Sequence, residues 1–277
     1  MKPDLHAVPA LAVAAALAAA VPPVEAQTEA EIQRGVDRYR EMLREDPWSN
    51  PGLLDSDRGE MLWFTAAGPN NVTLEDCDLG LGPGVVEGAF AQLPRYFADA
   101  DRVMDAETRI LWCMETLQGI DTAEFRQRPH PGGGQPVREL GAIGTWVAHM
   151  SSGMPYAVDH DDAALQDAIA LGETLFRMRS GPFDFSCETC HAAPGLRIRL
   201  QELPWLAGEE AAQVVGEWPA YRVSSTHVMT MQHRMFDCYW QMRMPRLELG
   251  SEASVALIAY LTATAEGGEV AAPGLKR

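Results

Sequence analysis

Lysine is almost missing from this 277-residue chain: Lys2 and Lys276 are the only two among 22 basic residues, and the rest are arginine. Recognition of anions therefore falls to guanidinium, whose planar fork suits oxyanions. Positive charge is scarce altogether. With 39 acidic side chains the formal charge is −17, which disfavours nucleic acid as a partner. Long apolar runs are also missing beyond the first 21 residues, so no later stretch reaches the ~20 residues that a membrane span needs. Cysteine is sparse, with five in all, and no second C-x-x-C pair exists to complete a zinc site.

What is present centres on Cys187-Glu188-Thr189-Cys190-His191. C-x-x-C-H is the attachment signature of c-type haem: two thiols form thioethers with the vinyl groups, and the imidazole becomes an axial ligand of the iron. The second axial ligand is open to two readings. Methionine is the usual one, and Met229, Met231, Met235, Met242 and Met244 lie in the right region. The rival is Cys238, 47 residues beyond His191. Haem takes Cys187 and Cys190; if Cys77 and Cys113 pair, Cys238 is the odd thiol, and an odd thiol in a secreted protein is a reactive one. A thiolate ligand would lower the iron's potential relative to a thioether.

Secretion is expected from the N-terminus. Residues 1–26 carry Lys2, an apolar run from Ala7 to Val21 broken by Pro9, and Val24-Glu25-Ala26. They read as a signal peptide cleaved after Ala26, with Asp4 unusual in the n-region. Loss of Lys2, Asp4 and Glu25 leaves a formal charge of −16. The mature protein is expected to be soluble outside the cytoplasm, where haem c is attached and disulfides persist. It opens with an amphipathic helix from Thr28 to Arg44, carrying Ile32, Val36, Tyr39 and Leu43 at helical spacing. Pro47 to Gly52 then breaks it.

The rest repeats itself. Gly59-Glu60-Met61-Leu62-Trp63-Phe64 aligns with Gly172-Glu173-Thr174-Leu175-Phe176-Arg177 at an offset of 113, and the same offset carries Leu74-Glu75-Asp76-Cys77-Asp78 onto the haem motif. One thioether cysteine is thus Leu74 and the axial histidine is Asp78, so the first half can neither attach nor ligate haem in the usual way. Arg109 to Cys113 resembles Arg234 to Cys238 at an offset of 125, and 146–153 matches 260–267 at 114. A Gly- and Pro-rich loop at 129–136 accounts for the slack. Leu140, Ile143, Val147 and Met150 mark the closing helix of one half, and Val255, Ile258 and Leu261 that of the other. The expectation is an all-α chain of two cytochrome c-like domains, 27–154 without haem and 155–277 with it, from an internal duplication. Asp161 or Asp162 would cap the first helix of the second domain, through Leu165, Ile169, Gly172 and Phe176.

On a helix, Arg234 and Cys238 share a face, which would put an oxyanion-binding guanidinium beside a sulfur nucleophile. The blander partners for Arg234 are a haem propionate or Asp237. Arg222, Arg243 and Arg246 would line an anion entrance or balance the acidic surface. His227 and His233 read as surface or propionate-bonding residues in a polar loop. Trp205, Trp218, Tyr221 and Trp240 read as pocket and core packing. A plain two-domain electron-transfer cytochrome c, with Cys238 only setting the potential, is the rival function.

With these residues in place, the chain resembles the SoxA family, the catalytic subunits of the SoxAX cytochromes of thiosulfate oxidation. The resemblance spans the mature chain and is most specific from Arg234 to Arg243, together with the single C-x-x-C-H and the decayed first site. It implies the monohaem form, in which a disulfide occupies the place of the first haem, and Cys77 and Cys113 match that pair. It further implies a periplasmic L-cysteine S-thiosulfotransferase that joins thiosulfate to a cysteine of the carrier SoxYZ, with the small cytochrome SoxX as its partner subunit. Cys187 and Cys190 would hold one haem c, and His191 and Cys238 would ligate it. Cys238 would carry an extra sulfur as a persulfide and face a cleft, while Arg234 would position the substrate's oxyanion.

Overall fold

The computed structural model describes residues 28–127, 134–198 and 201–276, so the expected signal peptide at 1–26 lies outside the described residues. The chain divides into two units at Pro47. In the first, α1 (Glu29–Glu45) starts from a capping box: Thr28 Oγ1 accepts the Glu31 amide, and the Glu31 carboxylate accepts the Thr28 amide at 2.8 Å. Two N–H groups left over at the helix start are satisfied this way. The expected helix is present, with Ile32 and Tyr39 exposed along it.

The second unit carries two runs of elements in the same order. First come α2 (Gly52–Trp63), β1 (Arg95–Phe97), β2 (Arg102–Met104), α3 (Ala106–Thr116), the short α4 (Ala123–Gln127) and α5 (Gly134–His149). Then come α6 (Ala163–Arg177), α7 (Cys187–His191), β3 (Arg197–Ile198), β4 (Gln201–Glu202), α8 (Ala211–Gly216), β5 (Ala220–Arg222), β6 (His227–Met229), α9 (Met231–Gln241) and α10 (Glu252–Thr264). A last strand, β7 (Gly274–Lys276), adds in parallel to β5. The fold is mostly α but not all-α as expected. Strands of two or three residues are too short for alternation to show in the sequence.

Each run closes on the same contact. A methyl group on Gly59 of α2 would stand 2.0 Å from the carbonyl oxygen of Ala142 on α5, and one on Gly172 of α6 would stand 2.0 Å from that of Ala256 on α10. Only glycine lets two helix backbones approach so closely. These are the glycines that the offset of 113 aligns. Asp162 caps α6 through the Leu165 amide at 2.8 Å, and Leu165, Gly172 and Phe176 form its buried face. The hairpins match as well, Arg95 pairing with Met104 as Ala220 pairs with Met229, at the offset of 125. Of the loop expected at 129–136, the part to 133 lies outside the described residues, and 134–136 instead form the first turn of α5. Pro136 is tolerated there because N–H groups of the first turn have no intrahelical acceptor.

The two runs meet at the N-termini of α3 and α9, by an exchange. Thr230, the N-cap of α9, donates to Glu107 of α3 at 2.6 Å. In return Gln232 of α9 donates to Asp105, the N-cap of α3, at 2.6 Å, and also contacts Thr108 at 3.1 Å. Both matched pairs, Asp105 with Thr230 and Glu107 with Gln232, stand 125 residues apart, so the contact is self-complementary in the manner of a two-fold interface. A cavity of about 50 Å³ adjoins it, walled by Glu107, Thr230, Tyr156, Trp218 and Ile258. Among the described residues, no helix is long and apolar enough to cross a membrane.

Candidate functional site

α7 is a single turn and owes its place to a capping box. Ser186 Oγ accepts the Thr189 amide at 3.1 Å, and Thr189 Oγ1 accepts the Ser186 amide at 3.0 Å. One turn puts Cys187 and Cys190 three apart on one face with His191 beside them. Both thiols are free and half-buried. His191 Nδ1 lies 2.8 Å from the Pro204 carbonyl oxygen. A carbonyl only accepts, so the proton sits on Nδ1 and the Nε2 lone pair is left for a metal. Burial pushes this imidazole's pKa down against that hydrogen bond, with Arg234 acting in the same direction as burial. The neutral form is the one that ligates metal.

α9 faces this turn and starts at Thr230, whose hydroxyl accepts the His233 amide at 3.2 Å. Arg234 and Cys238 share its face as expected, but the guanidinium already holds a partner: Arg234 Nη1 is 2.5 Å from Asp237 Oδ2. Burial pushes the Cys238 thiol up, and Arg234 and Arg222 pull it down. Burial pushes Cys187 up to about 12, with Cys238 the next cause. The Tyr239 hydroxyl hydrogen-bonds Cys187, tying α9 to α7. The structure thus brings together Cys187, Cys190, His191, Arg234 and Cys238. Pro204 and Tyr239 were not singled out from the sequence. Pro204 lies in the stretch where the offset grows from 113 to 125, and that insertion was its one signal.

These residues fit haem c. They offer two thiols one turn apart, an imidazole with its tautomer fixed, and a further thiol on the facing helix. Arg222 Nε, His227 Nε2 and Trp205 Nε1 are buried without a hydrogen-bond partner. Of the alternative ligands, Met229 is buried beside Trp218 and Ala220, and Met235 belongs to the core with Phe176 and Tyr260. Among the described residues, no group of three or more His, Cys, Asp or Glu is arranged to hold a bare metal ion.

Three expectations about neighbouring residues need correction. His227 and His233 are not in a polar surface loop: one is on β6 and the other on α9, their rings stack at 6.1 Å, and His233 is buried. Trp240 is exposed rather than core, with the Arg243 guanidinium 5.1 Å from its ring centre. An open hollow of about 460 Å³ is walled by Phe236, Tyr239, Trp240, Arg243, Met244 and Arg246, and Cys238, expected to face a cleft, does not line it.

In the first half the matching positions are filled. Cys77 and Cys113 form a disulfide with Cα atoms 5.6 Å apart. Leu74 and Leu79 are fully buried in a core with Trp63, Ile110 and Trp146. The Asp78 carboxylate accepts the Gly80 and Gly82 amides at 2.7 and 2.9 Å, and its carbonyl oxygen accepts Arg109 Nε at 2.6 Å.

A C-x-x-C-H turn facing a cysteine-bearing helix, closed by first and last helices that cross at glycine, is the pattern of a cytochrome c domain. Consistent with that class, the family model described as the SoxA/TsdA cytochrome c domain matches residues 58–156. The chain is 44% identical over 250 residues to the L-cysteine S-thiosulfotransferase subunit SoxA of Hydrogenophilus thermoluteolus, covering 90% of each. It is 31% identical over 243 residues to the subunit so named from Hydrogenobacter thermophilus, covering 87% of this chain and 88% of that one. Its fold matches the crystal structure of SoxXA from P. pantotrophus with a TM-score of 0.70, at 24% identity, over 87% of this chain and 84% of that one. The chain belongs to the SoxA family.

Proposed function

We propose that this protein is the catalytic subunit of a periplasmic L-cysteine S-thiosulfotransferase that joins thiosulfate to a cysteine thiol of a SoxYZ-type carrier. In that reaction one sulfur–sulfur bond forms, the carrier thiol loses its proton, and two electrons pass to a cytochrome c acceptor. The observation that carries this reading is a free thiol and a guanidinium on one face of α9, opposite a histidine whose tautomer is set for metal. One haem c would be held by Cys187 and Cys190 with His191 and Cys238 as ligands, and would supply the electron acceptor. Cys238 would carry the additional sulfur as a persulfide. Arg234, released from or shared with Asp237, would orient the oxyanion end of thiosulfate. A SoxX-type cytochrome is the expected partner subunit.

The two runs of elements are further read as an internal duplication, with 27–154 a cytochrome c domain that has lost its haem and 155–277 the haem-bearing copy. Support comes from the recurring offsets, the matched glycine crossings, and the family model that falls on the half without C-x-x-C-H. Mass spectrometry of the secreted protein tests both parts. One covalent haem per chain and one extra sulfur on Cys238 are expected; two haems would overturn the reading of the first half. Cys238→Met is expected to keep haem and lose conjugation of thiosulfate to the carrier. Unchanged conjugation would remove Cys238 from the mechanism.

A further inference from the structure

In the first half, the Arg109 guanidinium sits 4.1 Å from the ring centre of Phe97, held by the Asp78 carbonyl at 2.6 Å and by Asp99 at 2.8 Å. The hairpins of the two halves share one register: Phe97 pairs with Arg102 as Arg222 pairs with His227. The offset of 125 that carries Phe97 onto Arg222 also carries Arg109 onto Arg234. An aromatic ring that cushions a guanidinium in one half is therefore replaced, in the other, by a second guanidinium.

Two half-buried cations in one neighbourhood repel, because little water screens them. Burial lowers the Arg222 pKa, and Arg234 is the next cause. The carboxylate at hand, Asp237, is already bonded by Arg234 at 2.5 Å. Arg222 Nε is left buried with no hydrogen-bond partner. Leaving a buried, charged donor unpaired is costly, and an anion bound between the two forks would remove the cost. Arg234 stands one turn before Cys238 on α9, so an anion held by its fork and that of Arg222 would lie beside the reactive sulfur.

We infer that Arg222 is the second guanidinium of a sulfur-oxyanion site at Cys238, holding the sulfonate end of thiosulfate jointly with Arg234. This inference rests on the proposed thiosulfate chemistry and adds the residue that recognises its substrate. A tetrahedral dianion offers oxygens to two planar forks at once, which one arginine tied to Asp237 does not match. The competing anion is a haem propionate, a carboxylate.

Equilibrium binding of radiolabelled thiosulfate to the haem-loaded protein tests this, with the ferric spectrum and midpoint potential measured on each variant. Arg222→Gln is expected to weaken binding about ten- to a hundredfold, the loss of a charge-assisted hydrogen bond. Arg222→Lys, which keeps charge but not the fork, should fall between, with spectrum and potential unchanged. Unaltered binding in Arg222→Gln overturns the inference, as does a wild type that does not bind thiosulfate. Weakening in Arg222→Lys that comes only with a shifted potential assigns Arg222 to a propionate and overturns it too. A wild type that binds through Arg222 yet conjugates nothing sinks the proposed function and leaves this site standing.

Discussion

The two halves of the cytochrome unit solve one packing problem with different materials. Each must join a loop after its first helix to a later cysteine-bearing helix across the space between its first and last helices. In the first half a disulfide does this, Cys77 in the loop to Cys113 on α3, and Leu74 and Leu79 fill the gap. In the second half the matching positions are Cys190 and Cys238, both free thiols, and no cross-link of protein atoms joins them. A covalently attached, axially ligated haem would make that join. On the proposed attachment, the cofactor would contribute more than an electron acceptor: it would staple a small core, as a disulfide or metal does in other small domains.

The largest expected effects test whether the halves stand independently. Gly59→Ala and Gly172→Ala each drive a methyl group to 2.0 Å from a carbonyl oxygen, so each helix pair must separate. A cost above about 3 kcal/mol is expected for either, as for other overpacked crossings. They should differ in haem uptake. Gly172→Ala shifts α6 against α10 around the proposed haem site and is expected to lose covalent haem, whereas Gly59→Ala retains it. Equal haem loss in both, read by haem-stained gels beside thermal melts, would break the comparison by making the halves one folding unit.

A smaller effect sharpens the staple argument. Replacing Cys77 and Cys113 together by serine removes a cross-link that spans 36 residues, worth about 3–4 kcal/mol in the chain-entropy account. The double variant is expected to keep its haem and ferric spectrum while its first half melts earlier, seen by hydrogen exchange confined to α2, α3 and α5. Uniform loosening of both halves would show that the disulfide is not a local substitute for the cofactor.

Much of the site was legible in the sequence because its chemistry rests on residue identity at fixed spacing. C-x-x-C-H, the lone Cys238 and Arg234 one turn before it needed no coordinates. The repeat was legible at its motifs, Gly59 with Gly172 and Cys77 with Cys190, though the reason for the glycines lay in a backbone contact between elements far apart in the chain. The hairpins were not legible: Arg95–Phe97 and Ala220–Arg222 share only a basic and an aromatic flavour, and three residues carry no periodicity. Missing them hid that Phe97 and Arg222 hold matching places in the two hairpins. Trp240 was misread because a tryptophan in a short helix of mixed polarity does not by itself say which face it takes. The exchange between Glu107 and Thr230 was out of reach, since its partners are 123 residues apart and one is an acid that free water would ionise.

That acid supplies a pH-dependent effect at the junction, where Glu107 holds the place that Gln232 holds in the other half. Burial, and next the Asp105 carboxylate beside it, push the Glu107 pKa up to about 8 from an ordinary 4.5. Thr230 and Gln232, facing it from α9, are uncharged hydrogen-bond partners and only partly oppose the rise. Between pH 4.5 and about 8 the folded chain holds a proton that the unfolded chain has released. Its contribution to stability is therefore complete below that window and is lost as the pH rises through it. Glu107→Gln keeps the shape and the acceptor for Thr230 but cannot titrate. In denaturant unfolding it should match the wild type near the acid end of the window and become progressively more stable than it toward the alkaline end. Parallel pH profiles would mean that the carboxylate is already charged and hydrated through the adjoining cavity, and that the junction is held by Asp105 and Gln232 alone.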